Sequence, residues 1–132
     1  MKHFFYILVL VFVTSCSLLK QQAKYTYITD KDEQLSILYK HYPTLWYYYQ
    51  EGVMELVWIK KYDNEQGESD YRENHYFKRN YITDYSDKMY LLKTNFPEIY
   101  NLFTIGKVTV DEMYKYVDDD GHVQIHISYR NL

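Results

Sequence analysis

When the chain is slid along itself by 54 residues, Tyr27-Ile28-Thr29-Asp30 falls on Tyr81-Ile82-Thr83-Asp84, and the agreement continues downstream. Over residues 27 to 67 against 81 to 121, ten of 41 ungapped positions are identical: those four pairs, Leu38/Leu92, Pro43/Pro97, Gly52/Gly106, Lys61/Lys115, Tyr62/Tyr116 and Gly67/Gly121. Composition alone would give roughly three. Apolar character is also kept at Leu35/Met89, Tyr42/Phe96, Trp46/Tyr100, Tyr49/Phe103 and Met54/Val108. The pattern implies a tandem duplication, so the fold must be one that a short unit can make twice.

The punctuation of the unit predicts its elements. Asp30 and Asp84 are helix N-caps, each opening about three turns with Leu35, Leu38 and Tyr42, or Met89, Leu92 and Phe96, at helical spacing. Pro43 and Pro97 end that helix and suit the first turn of a shorter one. The second helix carries Leu45, Trp46 and Tyr49, or Ile99, Tyr100 and Phe103, and Gly52 or Gly106 closes it. Strands over 53–62 and 107–117 then lead into polar turns at 63–67 and 118–121. After the second turn Val123, Ile125, Ile127 and Tyr129 alternate with polar residues, whereas the return segment 71–80 is more polar throughout. The expected fold is α+β: two tandem ααββ repeats, 27–80 and 81–132, in a single domain. Its hairpins join into one four-stranded antiparallel sheet with the helix pairs packed on one face. Tyr25 and Tyr27 alternate and suit a short added edge strand.

At the start of the chain, Lys2 and His3 precede an apolar run from Phe4 to Val13, then Thr14, Ser15 and the single cysteine, Cys16. The run is far shorter than the ~20 residues of a membrane-spanning helix and has the layout of a secretory signal. Val13-Thr14-Ser15-Cys16 resembles the lipobox of bacterial lipoproteins, over these first sixteen residues. The resemblance implies a signal peptide at 1–15, lipidation of Cys16 by a diacylglyceryl group, and a tether over 16–26. The implied partner is the membrane, through the lipid on Cys16. Ser17 in place of Asp, and the lack of an acidic run over 17–24, imply an outer-membrane lipoprotein facing the periplasm. With one cysteine, the mature chain folds without an internal disulfide.

From Cys16 onward 14 Lys or Arg stand against 18 Asp or Glu, which argues against a nucleic-acid partner. The chain lacks a G-x-S-x-G elbow, a phosphate-cradling glycine loop and H-E-x-x-H, so neither an enzyme nor a cofactor is expected. His122 and His126, four apart on a strand, lie about 13 Å from each other, too far to share one metal. His41 and His75 have no other histidine or cysteine nearby in the sequence. Read as an EF-hand, the run Asp118 to Gly121 would put Tyr116 and Ile127 at the first and twelfth ligand positions, so a charged hairpin turn is expected and no metal. Glu112 falls in phase with Val108 and Val110, which predicts a β-bulge that rotates it out.

The aromatics remain: 20% of the chain, 18 of them Tyr. Positions aromatic in both copies, Tyr27/Tyr81, Tyr42/Phe96, Trp46/Tyr100, Tyr49/Phe103 and Tyr62/Tyr116, are expected to support the fold, with Trp46 and Tyr100 in the core. Six others stand opposite polar residues: Tyr39 opposite Lys93, Tyr47 opposite Asn101, Trp58 opposite Glu112, Tyr85 opposite Lys31, Tyr90 opposite Ser36 and Tyr114 opposite Lys60. These six are the candidate binding surface, because Tyr and Trp bury large area at little entropic cost. The leading expectation is a non-catalytic, lipid-anchored envelope lipoprotein that presents this surface to another envelope protein. The alternative is a glycan-binding module in which Tyr39, Tyr47 or Trp58 stack on sugar rings.

Overall fold

A computed structural model describes residues 24–132; the signal segment, Cys16 and most of the tether lie outside them. The elements are β1 (Tyr25–Ile28), α1 (Lys31–His41), α2 (Pro43–Gln50), β2 (Met54–Asp63), β3 (Ser69–Phe77), β4 (Asn80–Tyr81), α3 (Tyr85–Asn95), α4 (Pro97–Thr104), β5 (Val108–Val117) and β6 (Val123–Asn131). Among the described residues the fold is α+β, with four helices and two three-stranded antiparallel sheets ordered β1-β2-β3 and β4-β5-β6. Helices of 11 and 8 residues and strands of 10 and 9 residues each occur twice, their starts 54 residues apart.

Local chemistry accounts for these boundaries. Asp30 Oδ2 accepts from Glu33 N–H and Asp84 Oδ2 from Asp87 N–H, both at 3.0 Å, so each aspartate satisfies an orphan donor of its helix. Pro43 and Pro97 take the first helical position of α2 and α4, where a missing N–H costs nothing. Gly52 and Gly106 follow the helix ends at φ of 73° and 76°, a conformation that strains any residue with a Cβ.

The expected four-stranded sheet does not form. The segment before each helix pair returns to its own hairpin instead: β1 pairs with β2, Tyr25 opposite Tyr62 and Ile28 opposite Ile59, while β4 pairs with β5, Tyr81 opposite Tyr114. Each half therefore has one strand before its helices and two after, as βααββ, with the anticipated edge strand at Tyr25 a full member of its sheet. The bulge expected near Glu112 is present: the β5–β6 register shifts between Val110 and Glu112, leaving Asp111 as the extra residue.

The chain divides into two compact units whose boundary does not follow the repeat. The first comprises the described residues up to Gln34 together with Val57–Asn74. Ile28 and Ile59 are buried there, and Gln34 Nε2 donates to the Ile28 carbonyl at 2.7 Å. Its hairpin turn is closed by Asn64, whose Oδ1 accepts from Gln66 N–H (3.0 Å) and Glu68 N–H (2.9 Å).

The second unit comprises Leu35–Leu56 and His75–Leu132. In it α3 packs on α4, and α4 on β5. Leu38 and Leu92, the identical helix pair, are wholly buried, as are Val53, Met54 and Met113. Trp46 and Tyr100 are only half-buried, contrary to expectation; Tyr48 is the core aromatic of α2. The Tyr48 ring meets Phe77 edge-on at 5.5 Å and its hydroxyl donates to the Gly121 carbonyl at 2.5 Å. Trp46 instead stacks on Tyr49 (6.0 Å between centroids) and takes the edge of Tyr39 at 5.8 Å.

Candidate functional site

Of the six unmatched aromatics, Tyr39 on α1, Tyr47 on α2, and Tyr85 and Tyr90 on α3 are exposed, Trp58 on β2 is half-buried, and Tyr114 on β5 is buried with 8% exposure. Tyr114 is therefore not part of a binding surface. Its ring is enclosed by His126, stacked at 4.7 Å, by Tyr81 at 5.3 Å and by Tyr116 at 5.8 Å, with the Arg79 guanidinium carbon 4.5 Å from its centroid. A hydrogen bond with Tyr81, with the Tyr114 side chain nearby, raises the Arg79 pKa above its ordinary value. These neighbours cover the Tyr114 ring, while Tyr81 is itself 49% exposed.

On the first sheet, side chains two apart point the same way, so Trp58, Lys60 and Tyr62 share one face of β2. The register of β1 sets Tyr27 opposite Lys60 and Tyr25 opposite Tyr62. The Lys60 ammonium lies 4.5 Å from the Trp58 ring centroid, 5.0 Å from that of Tyr27 and 5.8 Å from that of Tyr25. Tyr27 meets Trp58 edge to face at 6.3 Å and Tyr25 packs on Tyr62 at 5.3 Å. The ring quadrupoles hold the cation. Tyr25 and Tyr27 nevertheless stay exposed, Tyr27 by 58%.

The cluster unites one anticipated residue, Trp58, with four that comparison of the copies left out of the candidate surface: Tyr25, Tyr27, Lys60 and Tyr62. Their alternation on β2, facing Tyr25 and Tyr27 on a neighbouring strand, is the signal that would have found them. Chemically the cluster offers broad aromatic area, phenol hydroxyls and an ammonium, groups suited to contacting a partner.

Two further features among the described residues bear on chemistry. Asp118, Asp120 and His122 bring ligand atoms within 4.8 Å of one another. Asp118 Oδ1 is engaged by Asp120 N–H (2.9 Å) and His122 N–H (2.8 Å), and Oδ2 by Gln124 Nε2 (3.1 Å). These donors, His122 first and Gln124 next, hold the Asp118 pKa below its ordinary value. Asn64 closes the other hairpin with the same pair of backbone bonds and no charge, so turn closure explains Asp118. A depression at the α3–α4 corner is lined by Asn95, Phe96, Pro97, Glu98 and Ile99, where Glu98 has no second titratable group to pair with for acid–base chemistry.

Among the described residues no helix is long and apolar enough to cross a membrane. No family model matches the chain, and neither a curated protein nor a solved structure matches it.

Proposed function

We propose that the chain is a non-catalytic lipoprotein of the bacterial envelope, anchored by lipid on Cys16, that binds another envelope protein through the aromatic face of its first sheet. One observation carries this reading: Tyr25 and Tyr27 remain exposed around Lys60 and Trp58, whereas on the second sheet the position of Lys60 holds Tyr114, a buried ring under His126. Large rings with polar tips, already held in place by a cation, lose little entropy on binding. The equal lengths of the paired helices and hairpin strands, at a spacing of 54 residues, support descent of the two halves from one βααββ unit, which leaves one copy free to specialise for binding.

The test is affinity purification of the full lipidated chain from detergent-solubilised envelopes. Tyr27→Ala combined with Trp58→Ala is expected to lose a specifically captured protein, while Tyr90→Ala, on α3, retains it. Capture undiminished in the double variant refutes the assignment. The same aromatic set would serve the glycan alternative. With Trp46 replaced by Phe, Trp58 emission reports on that face, and a saturable change on adding defined cell-wall saccharides would favour the sugar ligand.

A further inference from the structure

The end of α2 is held by three attachments, all within the second unit. Tyr48 donates to the Gly121 carbonyl (2.5 Å), the Glu51 carboxylate pairs with Lys115 Nζ (2.8 Å), and Asn80 Nδ2 donates to the Glu51 carbonyl (2.9 Å). The Asn80 side chain lies so close over Gly52 that a Cβ there would come within 2.6 Å of Nδ2. The receiving residues form a compact set, since Asn80 and Lys115 are directly paired across β4 and β5, and Gly121 belongs to the β5–β6 turn.

Each half of this contact occurs once more in the chain without its complement. At the end of α4 the positions of Tyr48, Glu51 and Gly52 are taken by Leu102, Ile105 and Gly106. Leu102 and Ile105 are exposed, Ile105 by 65%, and a Cβ on Gly106 would meet nothing within 4 Å. Leu132, whose N–H donates to the Lys107 carbonyl as that of Lys78 does to Val53, adds a third exposed apolar side chain. On the first sheet the receiving set is Thr26, Lys61 and Gly67. Thr26 and Lys61 are paired across β1 and β2 as Asn80 and Lys115 are, and a Cβ on Gly67 would likewise meet nothing within 4 Å.

From this we infer that the α4 end of one chain docks on the first-sheet edge of a second copy, repeating between molecules the contact made once within each. The chemistry is compatible at each position. The Thr26 hydroxyl stands where Asn80 donates, and can donate to the Ile105 carbonyl. Leu102 and Ile105, apolar where the covered positions hold Tyr48 and Glu51, cover the methylene stem of Lys61. Because the two surfaces differ, the association is head-to-tail. The inference rests on the equivalence of the two halves and is separate from the sheet-face reading.

Charge placement tests it. Sedimentation of the full chain in density-matched detergent is expected to show concentration-dependent self-association. Ile105→Lys, which sets a cation against Lys61, should raise the dissociation constant about tenfold or more. Ile105→Glu should retain association by recreating the Glu51–Lys115 pair between molecules, and Lys61→Glu added to Ile105→Lys should restore it. Ile105 is exposed, so the fold survives these changes, which circular dichroism of each variant checks. A monomer at every concentration overturns the inference. So does equal weakening by Ile105→Lys and Ile105→Glu, or the absence of rescue by Lys61→Glu, since each would remove Lys61 from the contact.

Discussion

The two sheets share a layout but have exchanged its chemistry. On the first, the middle strand supplies the cation, Lys60, and the edge strand supplies rings, Tyr25 and Tyr27. On the second, the middle strand supplies the ring, Tyr114, and Arg79, at the position of Tyr25, supplies the cation. A cation over aromatic faces is thus kept while its contributors trade places. The difference lies in what covers the centre. Tyr114 also has His126 stacked upon it and is buried, whereas Tyr25 and Tyr27, beside Lys60, remain exposed. One arrangement can therefore serve as packing in one place and as a contact surface in another.

The comparison breaks first on stability. Tyr114→Ala is expected to cost about 3 kcal/mol in a denaturant titration, as removal of a buried ring does, while Tyr27→Ala should cost less than about 0.5 kcal/mol. Equal losses would show that the two faces are packed alike. Gly52→Ala and Gly106→Ala both place a Cβ at positive φ, at about 1 kcal/mol each. Gly52→Ala must also displace Asn80 from the Glu51 carbonyl, so it should cost about 1 kcal/mol more than its counterpart. Tyr48→Phe removes only the hydroxyl bonded to Gly121 and should lose about 1 kcal/mol with the core ring intact. Thermal melts of these paired variants measure each difference.

The smallest effect concerns the hairpin turns. Donors to its ionised form lower the Asp118 pKa in the folded chain, so its contribution is complete above the ordinary carboxylate range and is lost as pH falls through the lower folded value. Asp118→Asn keeps an acceptor for the two backbone donors, as Asn64 does, and should flatten this acid-side dependence in a pH series of melts. An unchanged slope would assign the dependence elsewhere.

What was legible in the sequence depended on range. Asp30, Asp84, Pro43, Pro97 and the glycines act within a few residues of themselves, and the elements begin and end where they dictate. The bulge at Asp111 was readable from the broken alternation at Glu112. Sheet membership was harder, because β4 has two residues, too few for any pattern. In a helix of eight residues, moving the buried face from Trp46 to Tyr48 needs only a contact with Phe77 and Gly121, remote in sequence. Tyr114 is buried although its counterpart in the first copy is the polar Lys60. A lysine can lay its stem along apolar surface and its ammonium over rings, so a polar counterpart does not mark a wet position. Tyr27 and Tyr81 fail in the opposite sense, matched yet exposed on edge strands.

The extra residue at Asp111 also acts as an alignment key. The apolar side chains of β6 recur every second position from Val123 to Tyr129, so a slip of two residues along β5 would present the same face. Such a slip would carry Asp111 away from Arg130, whose Nε donates to both of its carboxylate oxygens at 3.0 and 2.8 Å. It would also pull the tight turn at Gly121 out from between the two strands. The hairpin consequently has a single alignment in which kink, ion pair and turn are satisfied together, so its own sequence rejects the slipped pairings that a bare alternation would allow.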